Sequence, residues 1–337
     1  SKDSPAARRA AILSFLSGLD ASEGELDYFV YMMVRSFIPK NVNMNLSETG
    51  HGSNSKIRKM ITQVQECVSI EQVASIPMQR QEGFLNLLSE VVKKLGFGVA
   101  EFVPIFVKLI LGILAYSESL RKQSNVASLD MDIDDTERNI DYDKQLEGGG
   151  GNKSGKLRSM CFLRLSDLMS QFAETTNFLD FASELWSVTG PALKNLPNST
   201  INAINAPSLL LLLETMAAHP RLIPLLAQDE SCVSAVFQCI SESSKLNVVE
   251  CALRFVDNLL TEGGIYDPSE DPCEITGDNR TGLTLVRKHV DQLIIQFTRR
   301  LKSNDESSNP NHLATRELSI LCRVTVLLVS EDYIDEG

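Results

Sequence analysis

Histidine, cysteine and paired carboxylates are the residues with which this chain could carry out catalysis or bind a metal. The four histidines are His51, His219, His289 and His312. No two of them form HxxxH or HExxH, and none joins a Cys/His cluster with the ligand spacing that zinc sites use. We expect surface or helix-capping roles for all four.

The cysteines do not suggest a site either. They are odd in number, and no two form CxxC. Six lie in or beside apolar runs, where a free cysteine behaves as a small hydrophobe; Cys273 lies in a polar stretch and is predicted to be the exposed thiol. This usage favours a reducing compartment. The seven are Cys67, Cys161, Cys232, Cys239, Cys251, Cys273 and Cys322.

Two stretches superficially resemble ligand-binding motifs. Asp130-Met-Asp-Ile-Asp-Asp resembles a calcium loop, but the glycine and terminal glutamate of that loop are missing. Gly148 to Gly151 follows no strand, and GxxxxGK[ST], GxGxxG after a strand and GxSxG are absent from the sequence. Catalytic carboxylates need rigid positioning, and these lie in a stretch predicted to be flexible. We predict no catalytic, cofactor-binding or metal residues, no cofactor, no small-molecule substrate and no enzymatic activity.

Clusters of basic residues beside helices are the remaining candidates for chemistry. If several fall on one edge of the fold, they could follow a phosphate backbone electrostatically. For any single cluster a solvated helix face is the more ordinary interpretation, and a cluster near a helix C-terminus complements the helix dipole. The clusters are Arg8-Arg9, Lys56 with Arg58-Lys59, Lys93-Lys94, Lys153 with Lys156 and Arg158, Arg287-Lys288, and Arg299-Arg300 with Lys302.

The elements that would position these residues are helices. Leu26, Phe29, Val30, Met33 and Phe37 fall at i, i+3, i+4, i+7 and i+11, one face of a helix. Paired amphipathic helices recur about every forty residues, which is typical of HEAT and armadillo repeats. No segment alternates with period two over a useful length. The predicted fold is all-α: a HEAT/armadillo-like α-solenoid of stacked antiparallel helix pairs, with the long surface of a scaffold.

A change of composition interrupts the helical pattern. Between residues 130 and 147 eight Asp and Glu residues are relieved only by Arg138 and Lys144, and a glycine run follows. Low hydrophobicity with a charge block is typical of a flexible linker. We therefore predict helical repeats over 1–121, an acidic, Gly-rich flexible linker over 122–156, and helical repeats over 157–337.

Bulk properties limit the partners. A net charge of −12 over 337 residues argues against a basic coat on the whole surface but leaves room for local patches. The longest apolar stretch, Phe102 to Tyr116, contains Pro104, Lys108 and Gly112 and is too short and interrupted to span a bilayer. It predicts a buried helix and no membrane partner. The start of the chain, without Met or leader, is typical of a piece of a longer protein.

Several stretches together resemble one family. They are 8–19, 26–38, 76–88 and 102–111, with weaker agreement over 157–172 and 236–260. The chain resembles a fragment of the very large HEAT-repeat component of the small-subunit processome, also called the down-regulated-in-metastasis family. The resemblance implies a nucleolar ribonucleoprotein component. It would act in early cleavages of precursor ribosomal RNA and associate with the small nucleolar RNA particle that guides them.

These observations together predict a non-catalytic scaffold in small ribosomal subunit biogenesis. Its partners would be processome proteins and, directly or indirectly, precursor ribosomal RNA and the small nucleolar RNA particle. No RNA-binding residue is carried over from the family. The alternatives are a HEAT-repeat nuclear transport receptor, whose acidity would suit basic cargo, or a general protein-binding adaptor. Irregular loops at 40–54, 262–282 and 302–313 disfavour the transport receptor.

Overall fold

Helices make up every regular element that the structure, a computed structural model, describes. The described residues are 14, 23–37, 57–58, 61, 68–129, 151–194, 196, 206–243, 245–261, 282–304, 319–322 and 324. Within these ranges there are α-helices and 3-10 helices and no strands, so the protein is all-α, as its periodicity predicts. The chain divides into two compact units, Ser1–Thr176 and Asn177–Gly337.

The first unit contains five α-helices with described bounds, of which the last three are the longest. Its α-helices with described bounds are α1 (Glu23–Val34), α2 (Ile70–Ala74), α3 (Met78–Leu95), α4 (Val103–Leu129) and α5 (Gly151–Phe172). Two 3-10 helices, Arg35–Phe37 and Gly96–Phe102, follow α1 and α3.

Local sequence sets the ends of α2 and α3. The Ser69 hydroxyl accepts a hydrogen bond from the Gln72 N–H at 3.3 Å and caps the start of α2. Gly96 ends α3 with φ of 51°, a left-handed conformation that glycine adopts without a Cβ penalty. The chain therefore turns at Gly96 into the 3-10 helix.

The centre of the first unit is α4, which packs against α2 and α5. Leu109, Ile110, Ile113 and Leu114 are fully buried, which confirms the prediction of a helix enclosed on most sides. By length and composition alone Met78–Arg121 could cross a membrane, with a mean hydropathy of 2.1 in its apolar window, yet 61% of that window is buried in protein, as in a core helix. The bent pair Ala206–Ala218 and Pro220–Leu226 meets the same criterion only when counted as one segment.

Helices α3 and α5 lie side by side and run in the same direction. The Lys156 Nζ lies 3.0 Å from the Glu82 Oε2, and Arg164 Nη1 donates a hydrogen bond to the Ser89 Oγ further along both helices. Because the residue numbers increase together across the seam, the two helices are parallel.

Helix α4 runs the opposite way to α5. The ring of Phe97, shortly before α4, meets the ring of Phe172 at the end of α5, with 5.7 Å between centroids. Further along α4, Glu118 faces Arg158, which is closer to the start of α5. Numbers that rise along α4 therefore meet numbers that fall along α5, and the two helices form an antiparallel pair.

The second unit is built from shorter helices. Its α-helices with described bounds are α6 (Ala182–Lys194), α7 (Ala206–Ala218), α8 (Ile223–Leu226), α9 (Ser231–Glu242), α10 (Leu246–Thr261), α11 (Gly282–Lys288) and α12 (Val290–Asn304). The 3-10 helices Phe178–Phe181 and Pro220–Leu222 precede α6 and α8.

Helix α10 is the centre of this unit and packs against α7, α9 and α11. Its buried face includes Val249, Ala252, Phe255 and Val256, spaced as one side of a helix requires. Between α10 and α7, the Arg254 Nε donates to the Glu214 Oε1 at 2.9 Å. The unit therefore has one apolar core, reinforced by a charged hydrogen bond at its edge.

A ladder of polar side chains joins α9 to α12. Ser234 and Gln292 exchange hydrogen bonds at 3.0 and 2.8 Å, and Ser241 donates to the Gln296 Oε1. Just before both helices, Lys288 Nζ lies 2.9 Å from a Glu230 carboxylate oxygen. The numbers again rise together, so α9 and α12 are parallel.

The linker predicted over 122–156 begins and ends in helix, because α4 extends to Leu129 and α5 begins at Gly151. Residues 130–150 lie outside the described residues, so the linker and the division of repeats around it stay predictions.

Pro191 lies inside α6, near its end. A proline in the last turn removes a single hydrogen bond, and the continued helix keeps Leu193 buried.

Candidate functional site

The basic clusters are the sequence-predicted candidates, and the structure divides them into engaged and exposed residues. Arg8, Arg9, Lys56, Lys59 and the side chain of Lys302 lie outside the described part of the chain. Arg287 and Arg300 each make an interaction within the fold. The clusters therefore do not act as one group.

Arg58 and Arg158 hold elements of the first unit together. The Arg58 Nε lies 2.8 Å from the Oδ2 of Asp27, a carboxylate that is only 1% exposed, and the Nη2 lies 3.3 Å from the Glu101 Oε1. Arg158 is buried, and its Nε lies 3.5 Å from the Glu118 Oε1. Arg158 is therefore structural, whereas Arg58 is held by two carboxylates but remains 48% exposed.

A buried ion cluster on α4 and α5 surrounds Arg158. Arg121 Nε lies 2.9 Å from the Glu118 Oε2, so one carboxylate serves two guanidinium groups. Burial lowers the pKa of Arg158, and the opposite charge of Glu118 counteracts that effect. A buried charge needs such a partner, because an isolated one would lose its hydration without compensation.

Five basic residues of the first unit are exposed and make no ion pair with a described residue. Lys93, Lys94 and Lys153 come from the predicted clusters, whereas Arg35 and Arg80 were not singled out by the sequence. By contrast, Lys156 is held by Glu82 and Lys288 by Glu230. The pKa of the Glu230 carboxyl is lowered by its hydrogen bond from Lys288. In the second unit Lys245 and Arg299 are also exposed.

Phe97 is an exposed aromatic ring that the sequence analysis missed. It is 64% exposed and directly follows the Gly96 turn. Its ring stands at 83° to that of Phe172, which is fully buried. The edge contact fixes the ring while leaving most of it in solvent. The signal that could have found it is a phenylalanine between two glycines at the end of a helix, where no apolar face continues.

The cysteines and histidines form no catalytic arrangement in the described ranges. Burial raises the pKa of the thiols of Cys161, Cys232 and Cys251, which keeps them neutral and poorly nucleophilic. Cys322 is exposed. The prediction that Cys273 is the one exposed thiol is therefore wrong with respect to Cys322. Proximity to an apolar run did not decide which helix face Cys322 occupies. Cys67 and Cys273 lie outside the described residues.

Two of the four histidines can be placed. His219 stands at the N-cap of a 3-10 helix, where its backbone carbonyl accepts a hydrogen bond from the Leu222 N–H at 2.8 Å and its side chain makes no capping hydrogen bond. His289 is mostly buried between α11 and α12, with Glu230 Oε2 3.6 Å from its Nε2 and the Phe237 ring against it. It is thus a packing residue rather than a surface one. His51 and His312 lie outside the described residues.

No group of three or more His, Cys, Asp or Glu side chains in the described ranges could hold a metal ion. The described ranges expose basic, acidic, polar and apolar side chains. Exposed cations and an exposed aromatic ring occur together around α3, where Arg80, Lys93, Lys94 and Phe97 are all exposed.

Comparison with known proteins identifies the family. A family model described as "U3 small nucleolar RNA-associated protein 20, N-terminal" matches residues 1–335. No curated protein matches the chain. The match covers both compact units and confirms the resemblance to a component of the small-subunit processome. The chain therefore belongs to the family defined by the N-terminal region of U3 small nucleolar RNA-associated protein 20.

Proposed function

We propose that this chain is a non-catalytic scaffold that supports precursor ribosomal RNA processing within the small-subunit processome. The observation that carries the proposal is the family match over residues 1–335. Membership of this family implies a role in the small-subunit processome and in ribosome biogenesis, in a family whose members are generally structural. It also implies a nucleolar or nuclear location, and association with processome proteins and RNA.

The arrangement of the helices supports a scaffold built as an α-solenoid. A stack of two-helix repeats makes every second helix parallel and each neighbouring pair antiparallel. In the first unit α3 is parallel to α5, and α4 is antiparallel to α5. In the second unit α9 is parallel to α12. The stretches 130–150 and 262–281 lengthen these repeats beyond the usual ~40–47 residues.

The scaffold proposal assigns the function to surfaces spread over many helices. Solenoid repeats bury their apolar faces against neighbours and leave an elongated surface for partners. The chemistry of the described surface agrees with this, since exposed basic side chains such as Lys93 and Lys153 can contact phosphate while the buried thiols stay neutral. Processome proteins and precursor ribosomal RNA are thus the proposed partners, and the nucleolus the proposed location.

The first experiment is crosslinking of the tagged protein in cells, followed by sequencing of the attached RNA and mass spectrometry of the attached proteins. We expect reads from precursor ribosomal RNA or small nucleolar RNA, together with processome proteins. Depletion of the protein should slow the early cleavages, and re-expression should restore them. A matched tagged protein of the same abundance in the nucleus, unrelated to ribosomes, provides the background.

Two results would contradict the proposal. Recovery of basic cargo proteins and a transport GTPase without ribosomal precursors would indicate a nuclear transport receptor. Unchanged early cleavages after depletion, with the protein absent from sedimenting precursor particles, would exclude a scaffold in that process.

A further inference from the structure

The solvent-facing side of α3 carries basic residues and no exposed carboxylate. Its exposed residues are Gln79, Arg80, Gly83, Asn86, Lys93 and Lys94, and Phe97 is exposed two residues beyond the helix end. None of these is acidic. We name this set of seven residues the α3 ridge. The two carboxylates of α3, Glu82 and Glu90, are only partly exposed, and both are engaged in interactions within the protein.

The ridge is continuous because its residues follow helical spacing. Steps of three, four and seven residues from Gln79 through Gly83 and Asn86 to Lys93 stay on one side of α3, and Phe97 follows the turn at Gly96. At ~1.5 Å per residue, Arg80 and Lys94 are separated by about 20 Å along the axis. Cations at both ends of a surface of that length can contact different phosphates of one extended strand. They cannot both contact the same small anion.

Open space favours close approach of a ligand to the ridge. An added Cβ at Gly83 or at Gly98 would meet no atom within 4 Å. Among the described residues, nothing therefore covers the middle of the ridge at Gly83. Lys153 of α5 is also exposed, near the end of the parallel seam where α3 begins.

Phe97 adds an exposed aromatic ring to the charged side chains of the ridge. Its ring is held by the edge contact with Phe172 and remains 64% exposed, while Lys93 and Lys94 lie in the last turn of α3 before it. Proteins that bind single-stranded nucleic acid combine a basic track for phosphates with aromatic rings on which bases stack. A double helix would not fit this combination, because its bases are already stacked.

We propose that the α3 ridge binds single-stranded RNA. Phosphates would meet Arg80, Lys93 and Lys94, and an unpaired base would stack on Phe97. The proposal rests on the proposed function, to which it adds a position, a strandedness and named residues. It also predicts little dependence on base identity, since every base has a face that can stack.

The test measures binding of the full 337-residue chain to a fluorescein-labelled oligouridine strand by fluorescence anisotropy. Phe97→Leu keeps the apolar contact with Phe172 but removes the aromatic face, and should weaken binding about tenfold. Phe97→Trp should bind as well as the wild type or better. Lys93→Ala with Lys94→Ala should weaken binding and reduce the slope of log K against log salt by about 1.4, since each phosphate contact contributes about 0.7 on a single strand.

A matched control lies in the second unit, where an exposed lysine also precedes an exposed apolar residue. Lys245 is exposed and Leu246 is 54% exposed at the start of α10. Lys245→Ala with Leu246→Ala removes one positive charge and one apolar side chain without touching an aromatic ring, and should leave oligouridine binding unchanged. Thermal melting of every variant confirms that it remains folded.

Several outcomes would overturn the ridge proposal. Wild-type affinity in Phe97→Leu, or equal loss in Phe97→Leu and Phe97→Trp, would exclude base stacking at this position. If the Phe97 and Lys93/Lys94 variants bound oligouridine as the wild type does but no longer bound an acidic peptide, the ridge would be a protein-docking surface. Failure of the wild-type chain to bind oligouridine would overturn the ridge proposal alone. The scaffold function is judged separately, by cosedimentation of the same variants with precursor particles.

Discussion

The two compact units both join parallel helices by side chains across a seam, but they use different chemistry. Between α3 and α5 the links are charged: Lys156 with Glu82, and Arg164 with Ser89. Between α9 and α12 most links are neutral, from the pair Ser234 and Gln292 onward. The same relative direction of two helices is therefore compatible with either kind of contact.

Burial explains why the difference matters. The first unit carries a charged cluster inside, where Glu118 and Arg158 are 5% and 7% exposed. In the seam between α9 and α12, the second unit has the ion pair of Glu230 and Lys288 at the surface and amides and hydroxyls further along. A buried charge network is sensitive to the loss of one member, whereas a surface pair contributes little. The two units should thus respond differently to equivalent substitutions.

The largest difference is expected from removing the central carboxylate of the buried cluster. Glu118→Gln keeps the size of the side chain but withdraws the negative charge that faces Arg158 and Arg121. We expect the free energy of unfolding to fall by about 3 kcal/mol, measured by urea denaturation. Glu82→Gln, whose carboxylate pairs with the exposed Lys156, is the control and should cost about 0.5 kcal/mol. Equal effects would mean that burial of the cluster does not matter.

The central helices of the units provide the second test. Helix α4 approaches α2 through a glycine: a Cβ on Gly112 would lie 2.9 Å from the Val68 Cγ1 and 3.3 Å from the Val73 Cγ2. Helix α10 contains no glycine and packs through larger side chains. Gly112→Ala should destabilise the chain by about 1–2 kcal/mol, because overpacking exceeds the gain in helix propensity.

The control for this substitution lies in the same unit. Gly83→Ala meets open space on α3 and should stabilise the chain by about 0.5–1 kcal/mol through helix propensity alone. Both values come from thermal and urea denaturation of the full chain. A stabilising Gly112→Ala would show that α2 moves away from α4 at no cost.

Two serine substitutions compare the parallel seams directly. Ser241→Ala removes the donor to the Gln296 Oε1, an amide that is 4% exposed, and should cost about 1–2 kcal/mol because a buried acceptor loses its hydrogen bond. Ser89→Ala removes an acceptor from Arg164, which retains its contact with Asp167, and should cost about 0.5 kcal/mol. The opposite order in urea denaturation would contradict the role assigned to the neutral ladder.

The smallest effect should come from the surface pair, and it should depend on pH. The hydrogen bond from Lys288 lowers the folded-state pKa of Glu230 below 4.5. Its stabilisation is therefore present above the unfolded-state pKa and is lost as the pH falls through the lowered folded-state value. Glu230→Gln should cost about 0.5 kcal/mol at neutral pH and nothing in acid. Denaturation curves at both pH values measure this, and a cost that persists in acid would assign it to packing.

Sequence patterns predicted the helices well where apolar spacing was regular. The stripe of Leu26 to Phe37 lies in α1 and its 3-10 extension, and the apolar run after Phe102 is the buried α4. Gly96 marked a real break because its backbone is left-handed there. Pro191 lies inside α6, and the helix continues past it to keep Leu193 buried.

The candidate surface was predicted only in part. Lys93 and Lys94 were identified from charge, but Arg80 and Phe97 were not, and Arg158 was grouped with exposed lysines although it is buried. Charge in a sequence does not reveal whether a carboxylate from another helix will meet it. For Arg158 that carboxylate is Glu118, forty residues earlier and on a different helix.

The amino-acid sequence by itself determined the all-α class, the family and the absence of any motif for catalysis. These depend on local spacing and on patterns that run along the chain. Tertiary structure alone decided which arginines are structural, that α3 and α5 are parallel, and that Phe97 stands exposed on Phe172. Those properties depend on which helices meet and at what register, and the free energy that selects one register comes from contacts between residues far apart in sequence.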